Sequence, residues 1–383
     1  MDFTLASPYR GGPKEPVKRM RAAAPSNKDA GGDDRDNEYW SHVEDSNKLG
    51  RSHLVQFQAA EVTSELKLAM AVLLSDQGLP YKEQYRRLGK LTDLEKAIEC
   101  DTLALALTPD GDPAKVHLHA NLAVSYSYRY KRLGELADLD KAIECEAHAL
   151  ALTPVGHPDL PSRHADLGVF YSKRYERLGE LTDLEKAIEY EIHALALTPD
   201  GDPNIPRRQT SLGMSYIDRY RRLGELADIK KAAEYYSRAL ALTPNGHPDM
   251  SVRHANLGVM YGVRYQRLGE LADLEKALEC DIRALASTPD GHPYMLRRHH
   301  NLGCAYFARH QRLGELADLE QSIECHSRAL ALTPNGHPDM PHIHASLGMS
   351  YSDRYGRLGD LADLDKAIEC DIHALALTPD ASG

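Results

Sequence analysis

The stretch "YERLGELTDLEKAIEYEIHALALTPDG", Tyr175–Gly201, decides the fold, because close copies of it run through most of the chain. Its Leu-Gly pair recurs every 45 residues in seven copies, whose leucines are Leu88, Leu133, Leu178, Leu223, Leu268, Leu313 and Leu358. A fixed period of this length indicates an array of stacked repeats rather than a single enlarged core. Residues 76–383 are therefore predicted to form one array of seven repeats.

Each copy is predicted to contain two helices. In the third copy, helical spacing places four apolar residues on one face of a first helix (helix A): Leu167, Tyr171, Tyr175 and Leu178. Gly179 fits the left-handed position that follows a helix end. A second helix (helix B) is expected to begin at Thr182, in a capping box with Glu185. Its predicted apolar side consists of Leu184, Ala187, Ile188, Ala194, Leu195 and Leu197, and Pro199 stops it.

These residues resemble a known repeat family. Leu167-Gly168, Tyr171, Ala187, Ala194 and Pro199 follow the order of the tetratricopeptide (TPR) pattern. The period exceeds the usual one of about 34 residues, and Glu191 replaces an aromatic residue, so the chain resembles a long-period variant similar to fungal TPR/CHAT-type arrays. The resemblance implies an all-α, right-handed superhelical solenoid of stacked antiparallel helix pairs, with helix A on the concave face.

The two ends differ from the array. Residues 1–50 lack periodicity and are rich in Gly, Pro and charged residues, which predicts a disordered arm. Residues 51–75 are predicted to form a capping helix, and Pro80 is expected to break the helix of a degenerate first copy. The last copy has no distinct polar cap, which predicts either a missing continuation or self-association through the C-terminal repeat.

Composition limits the classes of function. A net charge of −11 argues against general nucleic-acid binding, and the longest apolar run, Leu68–Leu74, is too short to cross a bilayer. We therefore expect a cytoplasmic protein, with the nucleus left open by the basic run Lys18–Arg21. Five cysteines share one register, namely Cys100, Cys145, Cys280, Cys325 and Cys370. Steps of about 10 Å between repeats would keep them from forming disulfides.

Other polar residues also recur once per copy, and no catalytic motif is found, so the sequence predicts neither an enzyme nor a cofactor or metal site. One row contains His119, His164, His254, His299 and His344, spaced too widely for a shared metal ion. A second row contains Arg129, Arg174, Arg219, Arg264, Arg309 and Arg354. These arginines would form local ion pairs or, alternatively, bind an acidic ligand.

Helix-A positions that differ between copies are the candidate binding surface. The predicted partner-binding residues are Arg207, Met214, Ile217, Val259, Arg297, His300, Cys304 and Phe307. An apolar floor with positive edges suits a peptide with acidic flanks, unless neighbouring helices close that floor. We expect a non-catalytic scaffold for an unidentified protein partner. The alternatives are the repeat arm of a TPR-CHAT caspase-like peptidase protein and a cargo adaptor similar to kinesin light chains.

Overall fold

The computed structural model describes residues 64–378, and every regular element in that range is an α-helix. The first six helices are α1 (Ser64–Leu88), α2 (Leu91–Leu107), α3 (Ala114–Leu133), α4 (Leu136–Leu152), α5 (Leu160–Leu178) and α6 (Leu181–Ala196). The remaining eight are α7 (Ile205–Leu223), α8 (Leu226–Ala241), α9 (Met250–Leu268), α10 (Leu271–Ala286), α11 (Met295–Leu313), α12 (Leu316–Ala331), α13 (Met340–Leu358) and α14 (Leu361–Leu377). None of them combines the length and the apolarity needed to cross a membrane.

The helices form pairs, one pair for each copy of the repeat. Each odd-numbered helix is a helix A and packs on the even-numbered helix B that follows it. The described chain divides into two compact units, 64–198 with α1–α6 and 199–378 with α7–α14. Within each unit, helix B of one copy packs on helix A of the next. The predicted all-α fold of stacked, TPR-like helix pairs is confirmed.

The core lies between neighbouring copies. Six leucines at one helix-A position are all buried, namely Leu122, Leu167, Leu212, Leu257, Leu302 and Leu347. In unit 64–198, Leu167 and Tyr171 of α5 pack with Leu139 and Ile143 of α4, which belongs to the preceding copy. Neither helix pair could bury this surface alone, so the stacking of copies supplies the hydrophobic stabilisation.

The ends of the helices are less buried than their apolar sequence suggests. Among the predicted structural residues, Leu167, Gly168, Tyr171, Ala187 and Ala194 are buried. Tyr175 is half-buried, and Leu178 is 47% exposed. Leu197 is 46% exposed as well, although the helical spacing put it on the apolar side. Both leucines lie at the end of their helix, beyond the part that the neighbouring helices cover.

The connection from helix A to helix B is short and uniform. Gly179 has the expected left-handed conformation (φ 74°), and its N–H donates to the carbonyl of Tyr175 at 2.7 Å. The predicted capping box at Thr182 is wrong, because α6 already begins at Leu181 and its N-cap, Glu180, makes no side-chain cap. The backbone N–H of Asp183 donates to the carbonyl of Glu180 instead, and its carboxylate binds Arg174.

The expected break at Pro80 is also wrong. Helix α1 continues through Pro80 to Leu88, so the described part of the predicted capping helix and helix A of copy one are a single element. A proline inside a helix removes one hydrogen bond, and packing offsets that loss here. Tyr81, the next residue, is 1% exposed and packs with Ala97 and Cys100 of α2. The predicted arm, residues 1–50, and the start of the capping helix lie outside the described residues.

Candidate functional site

The candidate binding surface, which we call the helix-A face, lies in unit 199–378. Met214, Val259 and Cys304 each follow a buried leucine by two residues, on α7, α9 and α11, and all three side chains are partly exposed. Met349 holds the same position on α13 and is 40% exposed. The positions thus form a row of apolar or soft side chains that solvent reaches.

Burial reduces the predicted set of contact residues. Ile217, His300 and Phe307 are 4%, 8% and 6% exposed, because other side chains cover them. At these three positions the floor is closed, which was the alternative that the sequence left open. Arg207 is exposed, and Arg297 is half-buried with its Nη2 3.3 Å from a carboxylate oxygen of Asp339. That the remaining face binds a partner is a proposal, which we develop below.

The arginine row forms local ion pairs. Each arginine binds the aspartate nine residues later, giving the pairs Arg129–Asp138, Arg174–Asp183, Arg219–Asp228, Arg264–Asp273, Arg309–Asp318 and Arg354–Asp363. In Arg174 the Nε and Nη2 atoms donate to the two carboxylate oxygens of Asp183 at 2.9 and 2.7 Å. Its guanidinium also lies over the ring of Tyr171, 5.1 Å from the centroid. The row therefore joins helix A to helix B.

The histidine row is likewise a packing feature. His119, His164 and His344 each contact a histidine of helix B in the same copy. Desolvation is the main cause that lowers the pKa of all five histidines in the row, so they stay neutral near pH 7. All six cysteines of the chain are free, including the five in the shared register that the spacing predicted to stay unlinked, and four of those five are buried.

A further row of polar side chains lies buried under the helix-A glycines. A β-carbon on Gly78, Gly213, Gly258 or Gly303 would meet the side chain of Asp101, Tyr236, Asp281 or His326, respectively. In copy two, Ala123 stands at the position of the glycine and Glu146 at the position of the buried polar residue. Burial raises the pKa of both Glu146 and Asp281 to about 7. Arg163 acts to lower the pKa of Glu146, and Arg298 acts to lower that of Asp281. The two arginines hold equivalent positions, each on the helix A of the copy that follows.

In copy six, three potential metal ligands converge. The Sγ of Cys304 lies 3.7 Å from the Nε2 of His300 on the same helix and 3.7 Å from the Nε2 of His326 on α12. The ligand atoms of the three side chains all lie within 4.8 Å of one another. Desolvation lowers the pKa of His300 to about 4 and of His326 to about 3, and it raises the pKa of Cys304 to about 12.

The sequence prediction placed His300 and Cys304 on the binding surface but did not group them with His326, because it sought metal ligands only among residues that recur. The cluster consists of residues that depart from the repeat: Cys304 stands where other copies have Val124, Val169 or Met214, and His326 stands in the row of buried acids. Both departures are visible in the sequence. What the spacing could not show is that Gly303 lets the ring of His326 approach, since a β-carbon on Gly303 would lie 2.6 Å from it.

Comparison with known proteins identifies no family. No family model matches the chain, and no curated protein matches it. Among solved structures, the nearly identical TPR-like repeats from Podosopora anserina are 18% identical with a TM-score of 0.42, covering 56% of this chain and 97% of that one. BtubC (BKLC) from P. vanneervenii is 19% identical with a TM-score of 0.41, covering 72% of this chain and 95% of that one. The structure of the APC/C hetero-tetramer Cut9-Hcn1 is 15% identical with a TM-score of 0.47, covering 82% of this chain and 52% of that one.

Proposed function

We infer that the protein is a non-catalytic interaction scaffold that binds a peptide segment of another protein on the helix-A face of unit 199–378. One observation carries this inference. The buried helix-A leucine is the same in copies two to seven, whereas the partly exposed Met214, Val259 and Cys304 hold a position that varies from copy to copy. Variation at positions that stacking does not use is what a surface matched to a particular ligand requires.

The charges near this face favour a peptide with acidic residues beside apolar ones. Arg207, five residues before the buried Leu212 on α7, is exposed, whereas Arg297, at the equivalent position of α11, already binds Asp339. The six arginines of the ion-pair row are not part of this attraction, because each already binds an aspartate. Arginine suits carboxylate recognition because its planar fork can donate two parallel hydrogen bonds.

A peptide array tests this proposal. Full-length protein is applied to peptides that combine two or three apolar residues with acidic flanks, and to the same peptides with lysine in place of the acids. We expect binding to the acidic set only. Val259→Glu, on the helix-A face, should weaken binding by about tenfold or more.

Ile282→Glu is the matched control, since Ile282 is a 46% exposed apolar residue on helix B of the same copy. This variant should bind the array like the parent. Equal binding of acidic and basic peptides, or equal loss in both variants, would contradict the proposal.

We also propose self-association through copy seven. Helix α14 exposes Ile368 by 50%, Ile372 by 60% and Leu375 by 78%, whereas Leu364 is partly buried. In copy six the counterpart of Ile368 is Ile323, which α13 covers. An apolar surface of this kind favours contact with another protein surface. Ile368→Glu with Ile372→Glu should lower the mass measured by light scattering at high concentration, and a parent chain that stays monomeric would contradict the idea.

A further inference from the structure

Copy six has four residues that no other copy has at their positions. These residues are His300, Cys304, Ser322 and His326. The other copies have alanine, serine or threonine at the position of His300 and alanine at the position of Ser322. The four changes lie on two helices, α11 and α12, and yet they meet in one place. Independent departures that come together in space suggest a shared role.

The distances within the cluster fit a tetrahedral metal ion. With bonds of about 2.3 Å to sulfur and about 2.0 Å to nitrogen, two ligands of one zinc ion lie roughly 3.5 Å apart. The Sγ of Cys304 lies 3.7 Å from each of the two Nε2 atoms. Both distances are within a few tenths of an ångström of that value, and the three ligand atoms all lie within 4.8 Å of one another. Thiolate and imidazole are the ligands that zinc prefers.

A chain of hydroxyl groups prepares His326 to coordinate through Nε2. The hydroxyl of Ser350 donates to the carbonyl of Ser346 at 2.9 Å. Because the hydroxyl proton of Ser350 is used in that hydrogen bond, the hydroxyl of Ser322, 3.1 Å away, donates to the oxygen of Ser350. The oxygen of Ser322 can then accept the Nδ1–H of His326 at 3.4 Å. In this tautomer the lone pair is on Nε2, the atom 3.7 Å from the Sγ of Cys304, and protein-bound metals usually bind histidine when its other ring nitrogen donates a hydrogen bond in this way.

The surroundings also favour a positive ion. The carboxylate of Asp281 acts on Cys304, and its Oδ1 is buried without a hydrogen-bond partner among the described residues. A cation at the cluster would lower the electrostatic cost of both the carboxylate and a thiolate.

We propose that His300, Cys304 and His326 bind one Zn²⁺ ion, with Ser322 as a positioning residue for His326. The ion joins helix A to helix B in copy six. Binding forms a Zn–S bond and two Zn–N bonds, and the thiol proton of Cys304 is released to solvent. The site does not depend on the proposed peptide binding.

Cobalt replaces zinc as the probe, because Co²⁺ reports its ligands through its absorption. Reduced full-length protein is titrated with Co²⁺ without oxygen. One equivalent should produce a thiolate-to-metal charge-transfer band and the visible bands of a tetrahedral ion, and Zn²⁺ should displace it. The variants His300→Ala and Cys304→Val put in residues that other copies have, so the fold is expected to tolerate them. Each should weaken binding by about 100-fold or more, and Ser322→Ala by about 10- to 100-fold.

Two matched controls separate this site from the other thiols and imidazoles. Cys325→Ser changes a ladder cysteine next to His326, and His299→Gln puts in the residue that copy four has as Gln209. Both should bind Co²⁺ like the parent. Absence of the charge-transfer band in the parent would overturn the proposal. A band that survives Cys304→Val, or that disappears equally in the controls, would overturn it as well.

Discussion

Arg174 binds two carboxylates that differ in burial, and this difference allows a clean comparison of ion pairs. Asp183 is buried, whereas the side chain of Asp140 is 50% exposed and accepts a hydrogen bond from the Nη1 of Arg174 at 2.8 Å. We expect Asp183→Asn to lower the free energy of unfolding by about 1–3 kcal/mol, because a buried charge-assisted hydrogen-bond pair is lost. Asp140→Asn should cost about 1 kcal/mol or less, since solvent screens an exposed pair. Urea unfolding of both variants measures the difference, and equal losses would contradict it.

The helix-A glycines offer a second comparison. A β-carbon on Gly213 would lie 2.5–2.9 Å from three ring atoms of Tyr236, a rigid neighbour. A β-carbon on Gly168 would meet chiefly the flexible Cγ of Glu191. Gly213→Ala should therefore destabilise by about 1–3 kcal/mol through overpacking. Gly168→Ala should be close to neutral, because alanine gains about 1 kcal/mol of helix propensity.

Thermal melts of the two glycine variants make the test. Copy two already shows that alanine is tolerated opposite a glutamate, since Ala123 is fully buried there. A Gly213→Ala protein that melts like its parent would mean that the ring of Tyr236 moves aside at little cost.

At this scale, sequence and structure agree where residues recur. The arginine row predicted local ion pairs, and all six form, because an aspartate follows each arginine at a fixed distance. The convergence of His326 with His300 and Cys304 was not predicted, because it depends on the close packing of Gly303 and His326. Burial of Ile217 and Phe307 could not be predicted either, since variation alone does not separate exposed positions from covered ones.

At the scale of a helix, two leucines of α7 show that burial, and not apolar character alone, decides how much a residue stabilises the fold. Leu212 is fully buried, and Leu223, at the end of the same helix, is 47% exposed. Leu212→Ala should lower the free energy of unfolding by about 2–5 kcal/mol, because it leaves a cavity in the stack. Leu223→Ala should cost about 1 kcal/mol or less. Denaturant curves followed by circular dichroism measure both, and a parent-like Leu212→Ala protein would place that residue outside the stack.

Helices were easier to predict than their ends. Periodic apolar residues reflect the burial of a whole helix face, and the pairs appeared where the spacing put them. The start of α6 was misplaced because a local capping signal at Thr182 competes with the ion pair between Asp183 and Arg174. The break expected at Pro80 did not occur, because tertiary packing around Tyr81 outweighs the local preference of proline.

At the scale of the whole chain, the histidine row makes stability depend on pH. Burial lowers the pKa of His254 and His299 in the folded state, so the unfolded chain takes up more protons as the pH falls below about 6.5. Their contribution to stability is therefore complete above that pH and is lost as the pH falls toward the lowered values. We expect the melting temperature to fall between pH 7 and pH 5.

The double variant His254→Gln, His299→Gln isolates this effect, since copy four has Gln209 in the same register. Its melting temperature should change less with pH than that of the parent. The comparison between the two proteins is needed because Glu146 and Asp281 act in the opposite direction. Burial raises their pKa values to about 7, so their contribution to the stability of the folded protein is lost as the pH rises toward neutrality. Parallel curves for parent and variant would exclude the histidines as the cause.

The buried acids under the helix-A glycines have a consequence for how such a gene can change. Nearly identical repeats recombine with one another, and the result is the loss of one whole period. Loss of residues 147–191 would bring Arg208 into the register of Arg163, so Glu146 would keep an arginine at that position. Loss of residues 282–326 would instead bring Ile343 into the register of Arg298 and leave the carboxylate of Asp281 without its guanidinium. Copies that look interchangeable are thus interchangeable only where the neighbouring charge is repeated too.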